Sequence, residues 1–413
     1  MHQKKHSAAP VKALIAVAVA LVLVSSASAG GKYKVLHAFT GGKDGGGLWG
    51  SLAFDTKGNL YGTTSGGGDG QGTVFELTPG SKGRWTEAVL HSFPSFTDDG
   101  QGPTSSLALD EEDNLYGTTA GGGNHHSGVV FELAHDSWAE SILYNFCAKP
   151  KCSDGGSPYA GLVFDKASNL YGTGYAAFEL SPGSDGWKEV ALHDFTGEHG
   201  DGEEPLAGLI LDAAGNVYGT AEDGGNNSLC SGGCGIVYQL TPRSDGKWAE
   251  TVLHRFGSFQ NDGRRPGVGA LMMDSSGSLY GTTTGGGAFS SSCSCGTVFK
   301  LTPGSDGKWK ETILHSFALG TGGEGPSAGV VMEEAGNLYG TTSAGGSSCS
   351  CGVVYKLAPG SNGKWTHTVL HRFTGADGAG PNANLTLDSK GNLYGTTTTG
   401  GAGGYGVAFE LTP

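Results

Sequence analysis

A Tyr-Gly-Thr tripeptide recurs seven times along the 413 residues of the chain. Successive copies lie 47 to 62 residues apart, and 55 is the commonest spacing. A period of this size is typical of propellers and solenoids, in which each repeat packs against the next. We therefore expect one repeated domain, although length alone would suggest two or three domains. The copies begin at Tyr61, Tyr116, Tyr171, Tyr218, Tyr280, Tyr339 and Tyr394.

Each repeat contains four short runs that read as β-strands, separated by clusters of Gly, Asp, Asn or Pro. In the first complete repeat these runs are 51–55, 59–64, 73–78 and 85–93. No stretch has a 3.6-residue apolar period long enough for a helix. Four antiparallel strands per repeat, arranged radially, are typical of a β-propeller blade.

The two ends of the repeated region fit a closed ring. Residues 33–39 read as a fourth strand without the preceding three, and residues 407–412 read as a third strand without a fourth. The N-terminal strand can complete the last blade and pair an edge that would otherwise be exposed. The sequence therefore predicts an all-β, seven-bladed β-propeller over residues 30–413, built from seven repeats of roughly 55 residues.

Three strings in the first repeat resemble a known bacterial repeat. They are Gly-Asn-Leu-Tyr-Gly-Thr-Thr at 58–64, Gly-Thr-Val-Phe-Glu-Leu-Thr-Pro-Gly at 72–80 and Val-Leu-His-Ser-Phe at 89–93. Together with the Gly-rich loop between the first two, they resemble the GloVer tandem repeat of exported, choice-of-anchor proteins. The resemblance covers residues 30–413 and implies export and surface display, with no particular activity. The chain departs from that type, because we expect no C-terminal anchor.

Residues 1–29 read as a signal peptide. Lysines precede an uninterrupted apolar run at 13–24, and a small-residue cleavage site ends at Ala29. The run is shorter than the roughly 20 residues that a membrane span needs. We expect cleavage after Ala29 and a secreted protein, extracellular or periplasmic, without a membrane span.

The charge balance excludes some partners. The chain has 39 acidic and 25 basic residues, a formal net charge of −14. Such a charge repels phosphate backbones and anionic lipid headgroups, so we expect no nucleic-acid partner. We expect a monomer.

Six of the seven predicted fourth strands carry a histidine, and the other carries a tyrosine. Because these strands belong to different blades, the histidines cannot meet around one zinc ion, whose ligands lie within about 2.3 Å of it. We interpret them, and the tryptophans that begin the same strands, as packing between blades. The residues are His37, His91, His193, His254, His315, His371 and Tyr144.

Acidic residues recur in two other places in each repeat. Those that end the first strand, such as Asp55, are predicted to accept hydrogen bonds from turn amides. Those in the loops between blades are predicted to lie on the face of the Gly-rich loops, around the channel mouth. Such a ring of carboxylates could bind Ca²⁺, but no Asp-x-Asp-x-Asp-Gly loop is present and we assign no cofactor. The weak metal candidates are Asp99, Asp154, Asp201, Asp262 and Asp377.

The eight cysteines fall in these loops as four local pairs. An even number in an exported chain indicates disulfides, which would stiffen the loops. A crosslink between the two loops that carry Cys-Ser-Cys is the alternative, because a bridge within Cys-Ser-Cys would be tight. The local pairs are Cys147 with Cys152, Cys230 with Cys234, Cys293 with Cys295, and Cys349 with Cys351.

The third repeat lacks its long Gly-rich loop, and polar insertions flank the gap. A notch there with His, Lys and Asp could carry out acid–base chemistry or hold a ligand. Neutral variation of the loops is the alternative. An arginine pair in the fifth repeat is a second local concentration of charge. The candidate ligand-binding residues are His125, His126, Lys149, Lys151, Asp154, Tyr175, Arg264 and Arg265.

No His-Glu-x-x-His or phosphate-loop motif is present. We therefore favour an exported, non-catalytic binding or scaffold propeller that presents a disulfide-stiffened loop face to a glycan or protein. One alternative is an extracellular hydrolase, lactonase or lyase with a metal-dependent site at the channel mouth. Another is a structural component of a cell surface or matrix.

Overall fold

The structure, a computed structural model, describes residues 31–413 except 96, 97, 227, 291, 292 and 294. The predicted signal peptide at 1–29 lies outside the described residues. Seven antiparallel sheets, each with four main strands, form a seven-bladed β-propeller, as the sequence predicts. Among the described residues no helix is long and apolar enough to cross a membrane. The short 3₁₀ turns are Ser81–Gly83, Pro150–Cys152 and Glu198–Gly200.

Within each sheet the strands follow chain order outward from the propeller axis, except that the N-terminal strand completes blade 7. The first strands of blades 1 to 7 are Ala53–Phe54, Ala108–Leu109, Val163–Phe164, Ile210–Leu211, Met272–Met273, Val331–Met332 and Thr386–Leu387. The second strands are Leu60–Thr64, Leu115–Thr119, Leu170–Thr173, Val217–Ala221, Leu279–Gly286, Leu338–Thr342 and Leu393–Thr397. The third strands are Gly70–Pro79, Val129–Leu133, Ala176–Ser181, Ile236–Pro242, Thr297–Pro303, Val353–Pro359 and Val407–Thr412. The fourth strands are Trp85–Pro94, Glu140–Asn145, Lys188–Asp194, Trp248–Arg255, Trp309–Ser316, Trp365–Arg372 and Lys32–Ala38.

The ring closes through the N-terminal strand, as predicted. Lys32–Ala38 pairs antiparallel with Val407–Thr412 and thereby becomes the fourth strand of blade 7. Leu36 and Phe39 then pack in one buried cluster with Leu52 of blade 1. The closing strand thus covers a sheet edge and contributes to the core between the last and first blades.

The acid at the end of each first strand forms a turn, as predicted. In blade 1, Oδ1 of Asp55 accepts hydrogen bonds from the backbone N–H groups of Lys57 and Asn59 at 2.9 and 2.8 Å. Its Oδ2 accepts a hydrogen bond from the hydroxyl of Tyr61 at 3.2 Å. The tyrosine of the repeated tripeptide is therefore fixed to the turn that precedes it.

The other two residues of the tripeptide position the third strand and the next blade. A side chain at Gly62 would collide with the ring of Phe75, so glycine leaves room for that ring. Thr63 donates a hydrogen bond to the carbonyl oxygen of Ser105 in blade 2 at 2.8 Å. Equivalent bonds between blades join Thr118 to Ala160, Thr173 to Ala207, Thr282 to Ala328, Thr341 to Pro381 and Thr396 to Gly50.

The hydrophobic core lies between neighbouring blades. Between blades 1 and 2, for example, Tyr61 and Phe93 pack with Leu107 and Phe131. Trp138, which precedes the fourth strand of blade 2, contacts Tyr61 with ring centroids 5.9 Å apart. Burying one such side chain stabilises the fold by about 1.5–3 kcal/mol. This confirms the interpretation of the repeated tryptophans as packing between blades.

The loops between blades and the Gly-rich loops share one face of the ring, which we call the loop face. Gly100–Gln101, in the connection from blade 1, pairs with Gly121–Gly122 in the Gly-rich loop of blade 2. Gly122 has φ +79°, and a Cβ there would collide with the carbonyl oxygen of Asp99. Close backbone pairing with left-handed conformations is therefore one reason for the high glycine content.

Candidate functional site

A cavity of about 670 Å³ lies on the propeller axis and opens on the loop face. Its wall is formed mostly by the chain just ahead of the first strand of each blade, so all seven blades contribute. Most of these positions carry small or apolar residues, which leaves the axis open. The cavity is large enough for a small-molecule or glycan ligand.

Aromatic and aliphatic side chains surround the cavity and extend over the loop face. Trp49 and Tyr159 line the cavity and remain 46% and 47% exposed. Among the described residues, ten large hydrophobic side chains are exposed, and only Val89 lies away from the loop face. Three of them, Trp49, Tyr159 and Val268, line the cavity, and an apolar group at a cavity mouth is typical of an interaction surface. The nine on the loop face are Trp49, Tyr159, Tyr175, Leu229, Phe259, Val268, Phe289, Leu319 and Tyr405.

The polar groups of the cavity are uncharged. Asn384 accepts a hydrogen bond from the backbone N–H of Gly329 at 2.7 Å, which fixes its amide. The hydroxyl oxygen of Thr104 is buried and has no hydrogen-bond partner among the described residues. None of the described residues that line the cavity is charged. The cavity therefore suits a neutral ligand with hydroxyl or amide groups.

The acids between blades lie elsewhere than predicted. They were expected around the channel mouth, but each lies near the outer edge beside the fourth strand of the preceding blade. Asp99, for instance, lies 3.3 Å from Nε2 of His91. The chain between two blades leaves the outermost strand at this point, and the carboxylate caps the first turn of that connection. The same pairing joins His37 to Asp44, His193 to Asp201, His254 to Asp262 and His371 to Asp377.

A glutamate from the next blade completes three of these pairs. The side chains of each set offer one nitrogen and two carboxylate oxygens within 4.8 Å of one another. The expectation that six histidines cannot share one ion is correct, but it overlooked these carboxylates. The Trp-x-Glu spacing in the fourth strand was the signal that could have revealed them. The sets are His91 with Asp99 and Glu140, His193 with Asp201 and Glu250, and His254 with Asp262 and Glu311.

Burial shifts the titration of these groups. Burial raises the pKa of Glu140 to about 7, although His91 opposes the shift. Burial, reinforced by the facing carboxylate of Asp262, raises the pKa of Glu311 to about 9. For His91, burial lowers the pKa, but the neighbouring carboxylates outweigh it and the net direction is upward. In these two sets burial therefore favours the protonated, neutral form of the glutamate.

Two of the predicted notch residues stabilise the fold. The side chain of Asp154 is buried and accepts hydrogen bonds from the backbone N–H of Ala148 and the hydroxyl of Tyr144, both at 2.8 Å. Lys149 forms an ion pair with the buried carboxylate of Glu189 in blade 3. This local structure positions both groups between blades, at the outer edge of the ring.

The other notch residues are exposed on the loop face. His125 and His126 lie at the tip of the blade 2 loop, and Lys151 lies in the loop closed by the first cysteine pair. Tyr175 is 67% exposed. Gly156 lies between this tyrosine and the loop of the two histidines. Their predicted ligand-binding role stays a prediction.

The arginine pair occupies two different environments. Arg264 lines a second cavity of about 410 Å³ between the loops of blades 4 and 5. Arg265 faces Asp223 at 3.4 Å and Glu222 at 3.9 Å. These two carboxylates therefore largely neutralise the positive charge of Arg265.

The cysteines form the four local disulfides that the sequence predicts. Bonds join Cys147 to Cys152 in the connection between blades 2 and 3, and Cys230 to Cys234 in the blade 4 loop. The two Cys-Ser-Cys loops each close on themselves, so the crosslink between them is not formed. These bonds are Cys293 to Cys295 and Cys349 to Cys351.

The sequence matches one family of bacterial repeats. The model of the Gloeobacter/Verrucomicrobia repeat matches residues 22–184 and 289–413, which together are well over half of the chain. This agrees with the resemblance to the GloVer repeat. A comparison with curated proteins gives no match.

Solved structures with the same architecture are distant in sequence. The extracellular domain of a B. thetaiotaomicron protein, named as a one component system, aligns at TM-score 0.51 and 14% identity. The alignment covers 92% of this chain but only 41% of that chain. A Bacteroides uniformis protein named as a 6-phosphogluconolactonase aligns at TM-score 0.52 and 14% identity, covering 84% of this chain and 88% of that one. These similarities support the propeller fold alone.

Proposed function

This chain belongs to the Gloeobacter/Verrucomicrobia repeat family, and we propose that it is a binding module that holds a neutral glycan at the channel mouth. The observation that carries the proposal is the concentration of exposed apolar side chains on one face, around an uncharged cavity on the axis. The repeated residues, by contrast, are engaged in turns, in the core and in bonds between blades.

The chemistry of the cavity favours a sugar. The faces of Trp49 and Tyr159 carry partial negative charge and suit the C–H groups of a sugar ring. Asn382 and Asn384 provide amide groups that can bond to sugar hydroxyls. No described lining residue offers a charge that would select a phosphate, a carboxylate or an amine.

We further propose that the protein acts outside the cytoplasm. The four local cysteine pairs support this, because disulfides persist in oxidising compartments. The predicted signal peptide is a second argument from the sequence. A loop face that is partly crosslinked and built on a closed ring can hold its aromatic groups in place before a ligand arrives.

The enzyme alternative is less well supported. A metal-dependent hydrolase or lactonase at the channel mouth needs ligands or an acid–base pair at that position. Among the described residues that line the cavity, none is acidic, basic or histidine. The similarity to a protein named as a lactonase concerns the fold.

The test is binding of neutral oligosaccharides, screened on an array and measured by calorimetry on the protein from residue 30 onward. The Trp49→Ala/Tyr159→Ala variant should bind at least about tenfold more weakly, a loss of about 1.4 kcal/mol. Val89→Ala removes an exposed apolar side chain away from the loop face and should bind like wild type. Equal binding by the double variant, or binding only to proteins or charged glycans, would overturn the proposal.

A further inference from the structure

The strongest feature that the proposed function leaves unexplained is a buried cluster between blades 4 and 5, which we call the blade 4–5 cluster. It consists of His254 from the fourth strand of blade 4, Asp262 from the connection, and Glu311 from the fourth strand of blade 5. Nε2 of His254 lies 3.4 Å from Asp262 Oδ2 and 3.5 Å from Glu311 Oε2. Three potential metal ligands from two blades thus converge on one point.

These ligand atoms lack the hydrogen bonds that buried polar atoms normally make. The side chains of His254, Asp262 and Glu311 are 11%, 0% and 2% exposed. The histidine Nε2, the aspartate Oδ1 and both glutamate oxygens have no hydrogen-bond partner among the described residues. Two buried carboxyl groups that face each other without other partners are costly to desolvate, and they repel when both are ionised. A cation between the three side chains would satisfy all of them.

The charge and the spacing of the cluster fit a divalent transition metal. With Glu311 ionised, as metal binding requires, a neutral imidazole and two carboxylates carry a charge of −2. Bonds of 2.0–2.2 Å in a tetrahedral zinc site separate the ligand atoms by about 3.3–3.6 Å. The two measured separations from His254 lie within that range. Calcium fits less well, because it takes six to eight oxygens at longer bonds.

Neighbouring groups hold the ligands in place. Ser258 donates two hydrogen bonds to Oδ2 of Asp262, from its backbone N–H at 2.8 Å and its hydroxyl at 3.2 Å. The ring of Phe256 packs edge-on against His254 at 4.9 Å. Ser258 and Phe259, which neighbour the cluster, also line the 410 Å³ cavity. Supporting contacts of this kind orient metal ligands.

Other blade interfaces show what the protein does when a member of the cluster is replaced. Between blades 2 and 3 tyrosine replaces histidine, and the ammonium of Lys149 contacts the buried Glu189. Between blades 5 and 6 the glutamate position is His367, whose ring stacks on His315 with centroids 4.4 Å apart. Between blades 2 and 3, where the histidine is absent, a lysine thus supplies the cation beside the two carboxylates. Between blades 5 and 6, where a second histidine is present, that histidine replaces the glutamate.

We propose that His254, Asp262 and Glu311 bind a divalent transition-metal cation, with Zn²⁺ as the best fit, that links blade 4 to blade 5. The less buried His91 and His193 sets have the same three residue types and are weaker sites of the same kind. The Lys149 interface binds no metal because it contains its own cation.

Tag-free protein is stripped with a chelator, dialysed into metal-free buffer and titrated with Zn²⁺ by calorimetry. Wild type should take up at least one equivalent and gain about 2 °C or more in Tm. Glu311→Gln keeps the shape of the side chain but should lose the tightest equivalent and most of the gain in Tm. The matched control, Glu189→Gln at the Lys149 interface, should take up Zn²⁺ like wild type.

Co²⁺ provides a second measurement through its visible absorption when it is bound in a tetrahedral site. Wild type should develop this absorption, and His254→Gln and Glu311→Gln should each reduce it. Circular dichroism and elution volume verify that each variant is folded. Uptake of less than one equivalent by wild type would overturn the proposal, and so would equal uptake and absorption by the folded Glu311→Gln and His254→Gln variants. Trp49→Ala/Tyr159→Ala should bind Zn²⁺ normally, so this test is independent of the proposed glycan site.

Discussion

The interface between blades 2 and 3 and the interface between blades 4 and 5 place the same acidic pair at the same point of the ring. At the first, Asp154 is held by Tyr144 and Glu189 is held by Lys149. At the second, Asp262 and Glu311 face one histidine, and several of their oxygens have no partner among the described residues. These two interfaces therefore share a site of negative charge, but only the interface between blades 2 and 3 contains its own lysine cation.

The largest expected effect comes from removing the built-in cation. Lys149→Ala leaves Glu189 buried without its partner, which should lower the free energy of unfolding by about 2–3 kcal/mol. Loss of one partner of a fully buried pair costs about 3–5 kcal/mol, and we reduce this because Lys149 is partly exposed. Urea unfolding measures the change.

Lys151→Ala is the matched control, since this lysine lies in the same loop and is exposed. Its free energy of unfolding should stay within about 0.5 kcal/mol of wild type. Equal effects of the two substitutions would show that the Lys149 ion pair does not stabilise the interface.

The same substitution should act with opposite signs at the two interfaces. In metal-free protein near pH 7.5 the fold must keep Glu311 protonated beside Asp262. Glu311→Gln removes that cost and should stabilise the fold by about 1–2 kcal/mol. Glu189→Gln instead weakens the contact with Lys149 and should destabilise it by a similar amount. Urea unfolding of both variants is the measurement. If Glu311→Gln destabilised the metal-free protein, the predicted difference between the two interfaces would be contradicted.

A smaller, pH-dependent effect on stability is expected at the interface between blades 5 and 6. Burial, and then the neighbouring His367, lowers the pKa of His315 to about 4. Because the folded state favours neutral His315, its contribution is present above pH 6.5 and is lost as the pH falls from about 6.5 to about 4. The full shift corresponds to about 3 kcal/mol, and we expect a loss of about 1–2 kcal/mol because the His315 ring is only partly buried and water screens its charge.

Urea unfolding between pH 4.5 and pH 7.5 measures this dependence. His315→Gln should flatten the curve over that range relative to wild type, whatever its effect on stability at pH 7.5. Parallel curves for wild type and the variant would contradict the assigned pKa shift.

Most of the fold follows from the sequence, because its signals are local and repeated. The Tyr-Gly-Thr period determines the number of blades, and the isolated fourth strand at the N-terminus reveals how the ring closes. The role of Asp55 and the local cysteine pairs were also accessible, since hydrogen bonds in a turn and disulfides in short loops join residues close in sequence.

The site was less predictable, because it depends on contacts between blades. Glu311 lies 49 residues after Asp262, and only the radial packing of fourth strands brings them together. The loop acids were expected at the channel mouth, but the connection starts at the outer edge and its acid stays there. Trp49 and Tyr159 were not singled out as site residues, because their placement at the axis depends on how seven connections converge.

Anomalous X-ray diffraction at the zinc edge, from crystals grown with Zn²⁺, tests the contrast between the two interfaces most directly. The result we predict is a peak bounded by His254, Asp262 and Glu311 and none at Tyr144, Asp154 and Glu189. A crystal that holds no zinc at the blade 4–5 cluster, or equal peaks at both interfaces, would contradict this account.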